Sequence, residues 1–334
     1  MSEFKVTVVR VGPISKHENA DTLGVTKVFD YPVIVKLGEF KEGDLAVYVP
    51  VDAVVPGEDS RWAFLQGHNR IKARKLRGIF SMGLLAKFDA DLAAKASEKV
   101  KGVGGQDAFV GLDVADILGI KKYEPPEPVS IGGDNEKCLF EFPQYTDIEG
   151  LRRWPDVLRE GEDVVITEKI HGCNGRWVYK DGRLWVGSHT SIKRDSPNVV
   201  WWKAAHQYEL EKRLSAFPEI VVYGEVYGWV QDLRYGHSQG KVSIALFDAM
   251  DLATKRYFDA DEFLYFARKL GLPTAPELYR GPWNPGLKSL AEGKTTLGAD
   301  HVREGIVIRP VKERVDERIG RVILKYHGEG YLLR

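Results

Sequence analysis

Lys169 closes an apolar run in "VVITEKIHGCNGRW" and is followed at once by Gly172 and Gly175. A strand that only builds a core has no use for a cation at its tip, nor for glycines that weaken pairing. A lysine amine attacks phosphorus or a carbonyl only as the free base, so its pKa must fall from about 10.4 towards neutrality. A fall of about three units corresponds to roughly 4 kcal/mol, which burial beside other cations or a metal ion can supply. Three more charges sit inside apolar, strand-like runs: Glu225 in "VVYGEVYG", Glu304 in "REGIVIRP" and Lys325 in "VILKYH". Any one alone reads as a solubility charge on an edge strand. Four on separate strands, most of them near glycines, point to a site where a phosphate or nucleotide approaches the backbone. Cys173 has no partnered base in view and reads as a small packing residue.

Other nucleotide signatures are missing. "GPWNPGLKS" (Gly281 to Ser289) has one residue too many before its lysine for a P-loop, and Pro282 and Pro285 remove N–H groups that would cradle phosphate. It reads as a turn. "KGVGGQD" neither follows a convincing strand nor precedes an acid on a second one, so dinucleotide redox chemistry has no support. Eight scattered histidines and two cysteines, Cys138 and Cys173, exclude a structural zinc site and a disulfide framework, and favour a reducing, intracellular setting. The 48 basic and 48 acidic side chains cancel, so contact with a polyanion must rest on a local patch. No apolar run approaches the length of a membrane span, and "MSEFKVTVVR" lacks a signal peptide's apolar stretch.

At 334 residues the chain is long enough for two domains, and "YEPPEPVSIGGDN" (Tyr123 to Asn135) reads as the linker between them. Before it, "FKVTVVRV", "LGVTKVFDYPVIVKL", "GDLAVYVPVDAVV" and "GIFSMGLLAKF" have the spacing of a small five-stranded OB-type barrel. Arg61, Arg70, Lys72, Arg74, Lys75 and Arg77, interleaved with Trp62 and Phe64, are the mixture with which such barrels hold nucleic-acid strands. The same residues also fit a solvated basic loop with two core aromatics. Beyond the linker, "DVVITEKI", "GRWVYK", "RLWVGS", "IVVYGEVYG", "KVSIALFDAM", "EGIVIRP" and "RVILKYH" read as strands. "NVVWWKAAHQYELEKRLSAF" and "DADEFLYFARKLG" read as helices, the second with an Asp259–Glu262 capping box and a Gly271 stop. Strands rarely alternate with helices here, which predicts an antiparallel α+β domain.

In this order, "EKIHGCN", "YGEVYG", "LFDAMD", "EGIVIRP" and "ILKYH" resemble the successive nucleotidyltransferase motifs of the covalent ligase and capping-enzyme superfamily. The similarity is greatest to ATP-dependent RNA ligases of the phage T4 RNA ligase 2 type. "GEFKEGDLAVYVPVDAVVP" and "RIKARKLRGIFSMGLL" resemble the N-terminal OB module of the branch represented by Deinococcus and Naegleria RNA ligases, and "HENAD" is also similar to tRNA-binding OB domains. The resemblance implies an OB-like barrel over residues 1–122, a linker over 123–135 and an α+β antiparallel, ATP-grasp-like ligase domain over 136–334.

It also implies roles. Lys169 would take AMP from ATP. Glu168, with Ile170 beside it, would line the adenine pocket, and Phe247 would stack on the base. Asn174 and Glu225 would lie near the ribose. Glu225 and Glu304 would hold Mg²⁺ or Mn²⁺ through water, and Lys325 would neutralise the α-phosphate as pyrophosphate departs. Gly172 would leave room where nucleotide and backbone meet. AMP would pass to a 5′-phosphate on RNA or an RNA/DNA strand, and a 3′-hydroxyl would then seal the break, in a cytoplasmic protein with no membrane or obligate protein partner. Three positions depart from the family pattern. His171 stands where an acid is usual, although the T4 ligase 2 branch shares it. Ile323 replaces the first of two lysines in the last motif, with Arg321 as a substitute. The arginine expected in "VGSHTSIKRD" is His189, with Arg194 five residues later. Arg152 and Arg153 are further phosphate or strand contacts, or else solvated helix residues. Capping guanylyltransferases share the motif set but carry their OB domain after it, where this chain has nine residues beyond Lys325. An RNA-binding OB protein with an inactive transferase domain is the non-enzymatic alternative.

Overall fold

The computed structural model describes residues 4–100, 105–124 and 134–334. Residues 101–104 of the "KGVGGQD" stretch and 125–133 of the expected linker lie outside the described residues. The chain divides into two compact units, one of Met1–Pro125, Arg152–Pro155 and Leu332–Arg334, the other of Pro126–Leu151 and Asp156–Tyr331. Among the described residues no helix is long and apolar enough to cross a membrane.

The first unit is built from strands β1 (Thr7–Arg10), β2 (Leu23–Val28), β3 (Tyr31–Lys36), β4 (Leu45–Val49) and β5 (Leu84–Lys87). β4 lies between β1 and β5, and β2 pairs with β3, all antiparallel. β3 also runs beside the 79–82 segment: the Ile34 N–H donates to Ser81 Oγ and the Met82 N–H to the Pro32 carbonyl. Val8, Val47, Val49 and Ala53 are fully buried at its centre, as alternating apolar strands require. Trp62 joins this core, whereas Phe64 stays exposed. Arg152 and Arg153 belong to this unit. They sit in a turn, not a helix, with Arg152 buried over the Phe80 ring (5.9 Å) and Arg153 over Phe29 (3.7 Å).

The second unit holds two five-stranded sheets. The first runs Glu149–Gly150, β13 (Leu324–His327), β12 (Gly305–Pro310), β6 (Asp163–Lys169) and β11 (Glu277–Pro282). The second runs β8 (Arg183–Ser188), β7 (Cys173–Lys180), β9 (Ile220–Gly228), β10 (Val242–Asp251) and Arg256–Tyr257. Every pairing is antiparallel except Glu149–Gly150 with β13. Val164, Val165 and Ile166 are all buried because β6 is central and covered on both faces. Helices Val200–Gln207, Leu210–Leu214 and Ala260–Leu270 pack Trp202, Leu214, Phe263 and Leu270 onto Trp177, Val222 and Leu246 of the second sheet. The sequence predicts one helix over 198–217. It breaks because Glu209 adopts φ +51°, a left-handed turn without glycine. The other helix starts on the expected capping box and ends on Gly271 at φ +63°.

This topology places the site. β6 ends at Lys169 in one sheet, and β7 begins at Cys173 in the other, so Ile170–Gly172 is the corner where the chain changes sheets. Lys169 pairs with Gly305, which brings Glu304 to the corner from the first sheet. Asn174 pairs with Glu225, which brings that carboxylate from the second.

Candidate active site

Lys169 Nζ donates to Glu304 Oε1 at 2.8 Å. Burial works to lower the lysine's pKa, but Glu304 and then Glu225 outweigh it and hold the proton on the amine. The sequence-based expectation of a neutral amine is therefore corrected for the ligand-free protein: its neighbours are carboxylates, not cations. Glu304 is held well below the usual carboxylate range. Burial opposes this, and Lys169, His171 and His327 overcome it. Glu225 behaves differently. Burial pushes it up to about 8 against the attraction of Lys169, with the Glu304 charge adding to the rise. Two carboxylates thus share one ammonium, and Glu304 Oε2 is buried with no hydrogen-bond partner among the described residues.

An orphaned buried carboxylate oxygen and a second, under-compensated carboxyl fit a divalent cation. Among the described residues no three His, Cys, Asp or Glu side chains converge as a direct cage, so such an ion would complete its shell with water or phosphate.

A shell that sequence reasoning missed surrounds these groups. His171 Nε2 lies 2.7 Å from Asp232 Oδ1, and its Nδ1 is 3.1 Å from the Tyr331 hydroxyl and 3.6 Å from Glu304 Oε2. Burial alone would lower His171, but Glu304 and Asp232 raise it. The His171 backbone N–H donates to the Tyr235 hydroxyl at 2.7 Å, and Gln231 donates to the Gly172 carbonyl. His327 Nε2 is 3.4 Å from Glu304 Oε1 on the opposite side, and burial keeps this ring below the ordinary histidine value. The signal was the polar and aromatic loop "WVQDLRYGHSQG", which carries neither helical nor strand periodicity.

Gly172 is required by the protein itself. An added Cβ would lie 2.3 Å from the Val226 carbonyl and 3.0 Å from Glu225 Cγ, so β9 approaches the backbone closely here. Glu168 is buried and fully engaged: the Thr295 hydroxyl donates to Oε1 (2.5 Å), and the Thr296 N–H (2.8 Å) and hydroxyl (2.7 Å) donate to Oε2. It therefore anchors the 295–296 loop through both carboxylate oxygens. Ile170 is buried in an apolar cluster with Leu233, Tyr235 and Ala245, against which Phe247 packs. Asn174 Oδ1 is buried without a partner among the described residues, beside Glu225. Lys325 pairs with Val307 on β12, and its charge reaches His327. His189 and Arg194 have no hydrogen bond or ion pair to Lys169, Glu225 or Glu304 among the described residues. Arg194 is exposed, 3.8 Å from Asp134. Burial pushes the Cys173 thiol up to about 12, which leaves it protonated at neutral pH.

Ile323 is a core residue, packed with Tyr145, Val178 and Tyr223. Arg321 does not substitute for a lysine there, because it is ion-paired to Asp248 (2.6 Å) and Glu313 (2.6 Å). Asp248 is fully buried and also binds Arg309 (3.0 Å) and the Tyr145 hydroxyl (2.8 Å). Tyr145 in turn sets its ring edge-on to Phe247 at 4.8 Å, so this ion cluster fixes the aromatic. Burial opposes ionisation of Asp248, but Arg309 and Arg321 outweigh it and hold the carboxyl below its usual range. Asp248→Ala strands two arginines and should cost about 3–5 kcal/mol, lowering Tm by roughly 10 °C at neutral pH. A depressed folded pKa stabilises above the unfolded value of about 3.9 and loses that contribution as pH falls through the folded one. The Tm gap to wild type should therefore shrink in acid. A gap equal at neutral pH and about pH 2.5 would mean packing, not ion pairing, is the source.

A family model described as RNA ligase matches residues 162–327, and an OB-fold domain model matches residues 5–88. No curated protein matches the chain. Among solved structures, the chain is similar to Naegleria gruberi RNA ligase in three forms: an arginine-to-alanine mutant with ATP and Mn (TM-score 0.83), the ligase with PPi (0.83), and a glutamate-to-alanine mutant with AMP and Mn (0.84). Each is 23% identical and covers 99% of this chain and 98% of that one. At that identity the likeness is one of fold, an OB-type unit followed by a two-sheet antiparallel unit.

Proposed function

We propose, on the premise that this chain belongs to the RNA ligase family through residues 162–327, that it joins RNA ends with ATP through a lysyl-AMP intermediate. The observation that carries this reading is the meeting of Lys169, Glu225 and Glu304 at the corner between two sheets. Mn with ATP or AMP in the Naegleria ligase structures supports the choice of nucleotide and of a divalent ion. Glu304 and Glu225 would hold Mg²⁺ or Mn²⁺, whose charge neutralises both carboxylates and the ATP phosphates. With its acidic neighbours so occupied, Lys169 would no longer be held protonated and would release its proton to water, leaving the free amine.

Lys169 Nζ then attacks the α-phosphorus of ATP, forming a P–N bond as the P–O bond to pyrophosphate breaks. Phe247 stacks on adenine and Asn174 faces the ribose. Lys325 offsets charge that develops on the α-phosphate. AMP passes next to a 5′-phosphate of RNA, freeing Lys169, and a 3′-hydroxyl displaces AMP to form the phosphodiester at nicks in duplex nucleic acid. His189, Arg194 and Arg152 are assigned no step.

Incubation with labelled ATP or GTP and divalent ion, followed by denaturing electrophoresis, tests the reading. Label from ATP alone, on a protein that also seals 5′-phosphorylated RNA, is expected. Label from GTP alone would indicate capping chemistry, and no label would indicate a binding protein. Because the Lys169 pKa is raised, the neutral amine becomes scarcer as pH falls, so adduct formation should quicken from about pH 6 to about pH 9. A rate that falls over that interval would contradict lysine attack.

A further inference from the structure

The OB-type unit carries a row of cations, most of it on the chain between β4 and β5. Residues 69–71 run antiparallel to 53–55: the Val55 N–H donates to the Asn69 carbonyl, and Ile71 and Ala53 are joined by a bond of 2.8 Å. Burial alternates along the segment. Ile71 and Ala73 face the core, while Lys72 and Arg74 are exposed and Arg70 is half-exposed. Lys121 extends the row sideways, since Val54 pairs with Arg70 on one side and Lys121 on the other. The Lys72, Arg74 and Lys121 side chains have no hydrogen bond or ion pair to any described residue. Arg70 is set in place by Asp52 (2.7 Å) and by the Tyr123 ring, 3.6 Å beneath its guanidinium. By contrast Arg61, also expected to bind a strand, is committed to Asp59 at 3.0 Å.

We infer that Arg70, Lys72, Arg74 and Lys121 form a track for the phosphate backbone of single-stranded RNA. The choice of RNA rests on the ligase reading above; the track itself rests on the charges. Alternate residues of an extended segment are about 6.6 Å apart, which suits successive phosphates of an extended strand. Cations that contact phosphates read backbone and not bases, so binding is expected to be indifferent to sequence.

The test is fluorescence anisotropy of the full chain with a uridine-rich single-stranded RNA over a range of salt. Lys72→Ala/Arg74→Ala/Lys121→Ala should bind at least tenfold more weakly than wild type. Its plot of log affinity against log salt should be shallower by about 2, from three lost contacts at roughly 0.7 each on a single strand. Lys41→Ala/Lys87→Ala, removing two exposed lysines elsewhere on the unit, should bind like wild type. Thermal melts confirm that each variant is folded. Wild-type affinity and slope in the triple variant, or no RNA binding by wild type, would overturn the track. Loss confined to duplex RNA would overturn the single-strand assignment. ATP labelling of wild type, measured alongside, reports separately on the ligase reading.

Discussion

Lys169→Ala and Lys169→Arg should both fold and both fail to form an AMP adduct, with sealing lost by a thousandfold or more. The arginine variant is the sharper of the two. Guanidinium keeps the positive charge and can keep the ion pair with Glu304, yet it stays protonated and cannot attack phosphorus. A Tm near wild type with no adduct would separate chemistry from folding. The alanine variant removes the ammonium shared by Glu225 and Glu304, so some loss of stability is expected there. Lys325 remains in both proteins. An adduct surviving in the arginine variant would move the nucleophile to another residue.

Glu304→Gln distinguishes two roles that the ligand-free geometry combines. If Glu304 only pairs with Lys169, its loss lets burial lower the lysine pKa, and adduct formation should speed up. If Glu304 helps hold the divalent ion, adduct formation should instead fall by on the order of a hundredfold. The second outcome is expected, because Glu304 Oε2 is buried with no hydrogen-bond partner among the described residues, His171 Nδ1 lying 3.6 Å away, and an oxygen so placed suits a metal-bound water. Measuring the rate against metal concentration completes the test: the variant should need more Mn²⁺ for half-maximal adduct. An unchanged metal requirement with a faster rate would reduce Glu304 to a counter-ion.

The strands were legible because apolar runs separated by turn residues report burial directly, and "DVVITEKI" and "IVVYGEVYG" became β6 and β9. β11 was not. "ELYRGP" is a half-exposed edge strand ending in Gly281 and Pro282, which gives it the look of a loop. The helix break at Glu209 has no glycine or proline to announce it. At the site, Lys169, Glu225 and Glu304 stood out as charges that a core strand cannot tolerate. What they touch did not, because Asp232 reaches His171 from a loop 61 residues away in sequence, and Tyr331 from the short helix Glu329–Leu332, 160 residues away. Arg321 was misread for the same reason: its partner Asp248 lies on another sheet. The glycine at 172 was legible as a close approach, but that the backbone of Val226 makes such an approach was not.

The central claim is that Lys169 carries AMP during the reaction. Wild-type protein incubated with ATP and Mn²⁺, digested and analysed by tandem mass spectrometry, tests it most directly. The account predicts one modified peptide, heavier by AMP, with the modification on Lys169 and lost in acid as a phosphoramidate should be. AMP on any other residue, or unmodified Lys169 in protein that is sealing RNA, would contradict it.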